Sequence, residues 1–409
     1  MKKIAIFLIF ILGCVLGLFI YNNYKKDIEN NRLDKIEAIK AHYSLYVTTN
    51  KEANLYEKND EEYKIIGSLS KGTVVSLSDI IIDENTKYFH INDLDYFIEV
   101  ENVNPTTETI ENDNYYKNYV VFNENIITND ITKFYDDNDN VYTVNKSYNL
   151  PIIIKDTDKY YVEIFNRLFY VKKEDVKEII ENNNSDIKTR NDIRTLAYHF
   201  VYKDGERCDN SYICHPESQF RSHIKYLSDN NYFALTMKDL KLFLEGKIQI
   251  PEKSIVLTLD DGYLIENAVE ILEEYKIHAT YFVVASWIDP SKINSTYVEL
   301  QSHTNNMHNA NKCPGGNQGS QLLCEDKDVI LEDLKISREK LNGAFAFAYP
   351  FYDYNDRLIE ILKETGFEMA FIGIHNTLGM SKPGTDLFRI PRLTLSSLTT
   401  MEDFIDTLR

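Results

Sequence analysis

From Ser254 to Leu259 the chain reads Ser-Ile-Val-Leu-Thr-Leu, an apolar and β-branched run of the length of one buried parallel strand, and it ends in Asp260, Asp261 and Gly262. Similar runs recur at Thr195–Val201, Ala279–Ala285, Ala344–Ala348, Phe367–Ile372 and Ile390–Leu395. Between them the period lengthens to that of amphipathic helices. Glu217–Asn230 carries Phe220, Ile224 and Leu227 on one face, and Leu264–Tyr275, Asp328–Leu341 and Asp356–Thr365, the last closed by Gly366, follow suit. Repeated alternation predicts an α/β domain over 193–409, a distorted (β/α) barrel.

Upstream the texture differs. Lys2 and Lys3 precede an unbroken apolar run from Ile4 to Tyr21, near the roughly 20 residues a membrane span requires. It predicts a transmembrane signal anchor over 1–22 with the lysines on the cytoplasmic side, followed by a charged stalk over 23–42. That topology puts the rest of the chain outside the cell, on a single-pass membrane protein. Ile11-Leu12-Gly13-Cys14 also has the form of a lipoprotein processing site, but the apolar run continues from Val15 to Ile20, where such a site turns polar.

Short alternating runs broken by Gly, Asn and Asp then predict a small all-β module over 43–104. Leu55-Tyr56-Glu57-Lys58-Asn59-Asp60 is echoed by Phe134-Tyr135-Asp136-Asp137-Asn138-Asp139, and Lys87-Tyr88-Phe89 by Lys159-Tyr160-Tyr161, so a second copy is expected over 118–178. Gly67, Leu69, Lys71, Gly72 and Val75 of the first copy resemble the core strand pair of bacterial SH3-like domains. The resemblance implies spacers or cell-wall-binding modules. An Asn-rich polar stretch, 182–192, reads as a linker.

Acidic residues outnumber basic ones by 64 to 45 among 409 residues, a net charge of −19, and no basic stripe interrupts them. A nucleic-acid partner is therefore excluded. In an exported region the close spacing of Cys208 with Cys214 and of Cys313 with Cys324 suggests two loop-closing disulfides, one of the three connectivities that four cysteines allow; neither pair has the CxxC spacing of a zinc cluster.

The chemistry begins where the Ser254–Leu259 strand ends. Ligand sites of alternating folds are built at the carboxyl ends of strands, and successive residues there point in different directions, so Asp260 and Asp261 can take separate roles. Glu299-Leu300-Gln301-Ser302-His303-Thr304-Asn305-Asn306-Met307-His308 supplies two histidines. On an ideal helix they would diverge by about 140°, so only a loop can bring them together. Asp261, His303 and His308 make three ligands with open positions left, the pattern of a catalytic divalent metal, and Asp260 is placed as general base. Such a metal makes water acidic enough to attack a carbonyl near neutral pH.

Thr258-Leu259-Asp260-Asp261-Gly262, Ser302-His303-Thr304 through His308, Ala279-Thr280-Tyr281-Phe282-Val283 and Tyr349-Pro350-Phe351 occur together and in order. The region from about Arg194 to Leu395 thereby resembles the polysaccharide deacetylases, the NodB homology domain or carbohydrate esterase family 4, and within them the biofilm-polysaccharide branch. The resemblance implies removal of N-acetyl groups from N-acetylglucosamine residues of a cell-surface glycan, peptidoglycan or poly-N-acetylglucosamine. It also implies zinc as the metal, with cobalt, nickel, iron or manganese as alternatives, and the backbone N–H of Phe351 as an oxyanion donor. Arg392 resembles the arginine that orients the catalytic aspartate. The family's late Leu-x-x-His acid is missing, so the early Tyr198-His199 supplies the candidate acid, with His375 as the alternative.

Trp287, the single tryptophan, serves either packing or sugar stacking. His42, His90, His215, His223 and His278 read as structural or exposed. Two rival functions stand beside the deacetylase: a non-catalytic glycan-binding surface protein, and an O-acetyl esterase on the same scaffold.

Overall fold

The computed structural model describes the chain apart from residues 1, 61, 83–86, 92–94, 108–118, 166, 183–187, 209, 211, 374–377 and 409, and apart from the side chains of residues 1–16 and 79–86. The chain divides into two compact units, one of residues 1–117 and 121–183, the other of residues 118–120 and 184–409.

The first unit opens with a helix, Lys2–His42. Most of the apolar run of the expected span lies outside the described side chains, and among the described residues no helix is long and apolar enough to cross a membrane. The rest is β structure. Strands of both expected copies join one hydrogen-bonded order of twelve strands, meeting where Val141–Val144 pairs antiparallel with Glu62–Leu69 through Tyr142 opposite Leu69. Gly67 permits this approach, since a Cβ there would stand 2.1 Å from the Thr143 carbonyl oxygen. Val75 and Phe89 share one apolar cluster with Phe134 and Phe169.

The second unit is an α/β sheet whose parallel strands follow chain order: β1 (Ile193–Tyr198), β2 (Ser254–Asp261), β3 (Ala279–Val283), β4 (Val298–Ser302), β5 (Ala346–Ala348), β6 (Met369–Ile372) and β7 (Ile390–Pro391). One further strand, β8 (Leu393–Thr394), pairs in parallel with β1, so the hydrogen-bonded path returns to its start and the sheet closes as a barrel. Arg392 lies at that seam. Its N–H bonds the Ile372 carbonyl at 3.1 Å, and the N–H of Leu395 bonds that of Ala197 at 2.9 Å.

Every residue of β2 is buried. Ile255, Leu257 and Leu259 pack with Phe220, Ile224, Ala268 and Ile271 of the helices Glu217–Asp229 and Ile265–Tyr275, whereas Thr258 and Asp260 meet Arg392. Strand alternation thus sorts the apolar residues to the helical layer and the polar ones to the interior. The strand expected over Thr195–Val201 breaks at His199. Its second part, Phe200–Tyr202, pairs with Cys214–Pro216, and this short ribbon carries the Cys208–Cys214 disulfide. The other bridge joins Cys313 to Cys324.

Three of the remaining histidines belong to this core. His223 stacks on Phe404 with ring centroids 4.0 Å apart and bonds the Tyr198 hydroxyl at 3.1 Å. Burial pushes the imidazoles of His215, His223 and His278 down to about 4. A depressed folded pKa means that the unfolded chain takes up the proton first, so this stability is full above about pH 6.5 and is lost as pH falls towards 4. The urea midpoint of the protein should therefore drop between pH 6.5 and 4.5, and His223→Phe, which keeps the stack, should drop less steeply. Parallel profiles for the two proteins would contradict this assignment.

Candidate active site

The register of the barrel brings the chemical residues to one level. Tyr198 lies opposite Leu259, Asp261 opposite Val283, Val283 opposite Ser302 and Ser302 opposite Phe347. His199, Asp260, Asp261, His303 and the Tyr349–Phe351 turn therefore emerge together at the carboxyl ends of β1, β2, β4 and β5. This is the face on which alternating folds build their sites. The residues line a cavity of about 450 Å³.

Left-handed backbone aims the side chains. Asp261 has φ 75°, Thr304 φ 83° and Phe351 φ 58°, a conformation uncommon for residues other than glycine, which persists when the surroundings hold it. At Asp261 the turn separates the two acids: Asp260 points into the barrel and Asp261 towards the histidines. Gly262 follows at φ 93°, where a Cβ would stand 3.0 Å from Ile288 Cγ2 and 3.1 Å from Val283 Cγ1.

His303 Nε2 lies 3.4 Å and His308 Nε2 3.2 Å from the same oxygen, Asp261 Oδ1. Ligands about 2.1 Å from a tetrahedral ion stand about 3.4 Å apart, so the three donors have the spacing of half-assembled coordination. His303 Nδ1 is 2.7 Å from the Ala348 carbonyl oxygen, which can only accept, so Nδ1 carries the proton and Nε2 presents its lone pair. Burial works against the Asp261 charge, yet the hydrogen bond and charge of His303, then the charges of His199 and His308, hold its carboxyl well below the usual range. For His303 burial lowers the pKa, but the contacts with Asp261 and Asp260 carry it above the ordinary value. Asp261, His303 and His308 thus turn three donor atoms towards the point where a divalent cation would sit, and the residues fit such a group.

Asp260 is 2% exposed and Arg392 0%. Arg392 donates from Nη1 and Nη2 to the two Asp260 oxygens, at 2.6 Å each, and its guanidinium lies among the rings of Phe282, Tyr352 and Phe371. Burial is the largest influence on Asp260 and raises its pKa, but the charge and hydrogen bonds of Arg392, together with the charges of His303 and His199, outweigh it, so the pKa is lowered and the carboxylate stays ionised. His199 Nε2 is 4.0 Å from Asp260 Oδ2, and its buried Nδ1 has no partner among the described residues. Burial pushes this imidazole down against the pull of Asp260 and Asp261.

The N–H groups of Tyr352 and Asp353 bond the carbonyls of Tyr349 and Pro350, whereas the Phe351 N–H has no acceptor among the described residues. Phe351 packs on His308 with ring centroids 4.4 Å apart. Six of the site residues expected from sequence, Asp260, Asp261, His199, His303, His308 and Phe351, line one cleft, and the seventh, Arg392, lies buried behind it on Asp260. His375 lies outside the described residues.

Sequence reading passed over two acids that hold the loops. Asp333 accepts the N–H groups of Asn305 and Asn306 at 2.8 Å each, pinning the segment between the two histidines. Asp353 accepts those of Asn317, Gln318 and Ser320, fixing the loop between Cys313 and Cys324 that brings Gln318 to the cleft. The available signal was an acid among the buried positions of a helix, Asp333 beside Ile330, Leu334 and Ser337.

Residues 247–370 match the family model described as polysaccharide deacetylase. The chain carries a polysaccharide deacetylase domain of the NodB type. A poly-beta-1,6-N-acetyl-D-glucosamine N-deacetylase of Staphylococcus aureus (strain MRSA252) is 29% identical to it over 202 residues, 44% of this chain and 67% of that protein. Among solved structures, a de-N-acetylase from Aggregatibacter actinomycetemcomitans is 22% identical with TM-score 0.45, covering 53% of this chain and 99% of that one. IcaB from Ammonifex degensii is 20% identical with TM-score 0.43, covering 54% and 97%.

In the deacetylase domain the Arg392–Asp260 pair is costly to break from one side, because the remaining charge is left buried and alone. Arg392→Met should destabilise the domain by about 3–5 kcal/mol, and Asp260→Asn in the same chain should restore part of the loss. A loss in the double variant equal to the sum of the two single losses, read by urea denaturation, would show that the charges do not depend on one another.

Proposed function

We propose that this protein is a metal-dependent N-deacetylase that hydrolyses acetamido groups of N-acetylglucosamine residues in a cell-surface glycan. The name of the Staphylococcus aureus relative brings poly-β-1,6-N-acetylglucosamine forward as the first substrate to test, with peptidoglycan as the alternative. The observation that carries the reading is the convergence of three metal-ligating donors, an ionised buried carboxylate and a partly unpaired imidazole in a single cleft.

Asp261, His303 and His308 would hold a divalent cation, zinc being the first candidate. When bound there, such an ion supplies a Lewis acid that polarises the acetamide carbonyl and acidifies water. The chain's own residues do the rest. Asp260, held ionised and oriented by Arg392, takes the proton of the attacking water. The Phe351 N–H donates to the carbonyl oxygen as negative charge develops there, a contribution of roughly 2.7–4 kcal/mol for one such donor. His199 gives a proton to the leaving amine, so that acetate and a free amino group are the products. Two separately placed proton carriers favour this reading over simple glycan binding, which needs no base.

The apolar run from Ile4 to Tyr21 supports anchoring of the chain in the cell membrane with the deacetylase domain outside, and resistance of the full chain to extraction from membranes by alkaline carbonate tests it.

Acetate release from N-acetylglucosamine oligomers and from O-acetylated xylan tests the activity and its bond preference. Asp260→Asn should abolish release while metal content, read by atomic emission, is unchanged. His303→Ala should lose both, and His199→Ala should lower kcat by about 10²–10⁴-fold. Undiminished acetate release by Asp260→Asn, or release from xylan alone, would sink the proposal.

A further inference from the structure

Among the described residues of the second unit, three aromatic side chains are exposed: Tyr212 at 71%, Tyr263 at 61% and Trp287 at 50%. Singly such rings need no explanation, but all three stand around the same cleft. Trp287 meets the ring of His308 edge-on at 5.3 Å. Tyr263 comes two residues after Asp261, and its ring meets Phe200, the neighbour of His199, at 5.6 Å. Tyr212 lines the cleft itself, from the loop closed by the Cys208–Cys214 disulfide.

Two of the rings, Trp287 and Tyr212, are carried on backbone tied to the site. The Trp287 N–H bonds the Val284 carbonyl at 2.8 Å, and that of the preceding Ser286 bonds the Asn305 carbonyl at 2.9 Å, inside the histidine loop. The Tyr212 N–H bonds Asn210 Oδ1 at 3.1 Å. The polar groups lining the cleft from its two disulfide loops are neutral amides, Asn210 and Gln318. Flat apolar rings interleaved with neutral hydrogen-bonding groups suit a ligand with a C–H face and a hydroxyl edge, the two surfaces of a pyranose ring.

We propose that Trp287, Tyr263 and Tyr212 are stacking platforms for the sugar rings flanking the residue that is deacetylated, so that the domain engages an internal stretch of a linear glycan. The inference rests on the deacetylase reading and specifies how its substrate is held. Trp287 stands against His308, and Tyr263 against Phe200, the neighbour of His199, so the two rings flank different members of the site.

Trp287 is the single tryptophan of the chain, so intrinsic tryptophan fluorescence reports on this platform alone. N-acetylglucosamine oligomers of increasing length are titrated into the full chain carrying Asp260→Asn, with binding followed by fluorescence and by calorimetry. The expected result is a fluorescence change that saturates with the calorimetric isotherm and an affinity that rises with oligomer length. Adding Trp287→Ala should weaken binding of the longest oligomer about tenfold, and Trp287→Phe should recover most of the loss. Calorimetric binding with no fluorescence change, or equal affinities for Trp287→Ala and its parent, overturns the platform proposal while acetate release by the wild type leaves the deacetylase reading standing. If no oligomer binds and the wild type releases no acetate, both fall together.

Discussion

Arg392 and Asp260 meet as a bidentate ion pair at the seam where the barrel closes, with Arg392 wholly buried and Asp260 2% exposed. Removing two charges from water costs several kcal/mol each, and only close, doubly hydrogen-bonded geometry offsets it. That geometry exists because β7 and β8 pair with opposite edges of the sheet, β6 and β1, leaving the residue between them pointing inward. The ion pair thus depends on closure, and the ionised state of Asp260 depends on the ion pair. Everything at the carboxyl face is arranged around a carboxylate kept charged in a place where it would otherwise be protonated.

The side formed by Asp261, His303 and His308 obeys a different constraint. Its donors come from a strand end and from a loop, and the loop is held by Asp333 from the helix beneath it rather than by its own sequence. Left-handed backbone at Asp261 and Thr304 is the local cost of turning these side chains inward. Asp353 does for the Cys313–Cys324 loop what Asp333 does for the histidine loop. Gly316 shows how tightly that second loop is drawn, since a Cβ there would stand 2.4 Å from an Asp353 oxygen.

Much of this was legible in the residues. The buried strand before Asp260, the two acids with separate directions and the histidine pair that only a loop could join follow from local pattern and spacing, while close spacing suggested the two disulfide pairings over the other connectivities without deciding between them. Arg392 was legible only by resemblance, because a lone arginine after a short apolar run gives no sign of the strand ends 132 positions away that it meets. The break in the strand at His199 was not legible. Thr195 to Val201 reads as one continuous, mostly apolar run, and the turn into a second ribbon depends on pairing with Cys214–Pro216. In the first unit a repeat was expected from the local pattern, whereas the pairing of Val141–Val144 with Glu62–Leu69 beside Gly67 is a long-range contact that no local period encodes.

Under the proposed function, hydrolysis of the acetamide depends on a cation held by Asp261, His303 and His308. Its most direct test is acetate release from poly-β-1,6-N-acetylglucosamine by protein stripped with a chelator and then given one equivalent of zinc. The account predicts loss of activity on stripping, recovery with the first equivalent, and no recovery in His308→Ala at the same zinc concentration. Full activity of the stripped protein, with its metal content shown to be negligible, would contradict it.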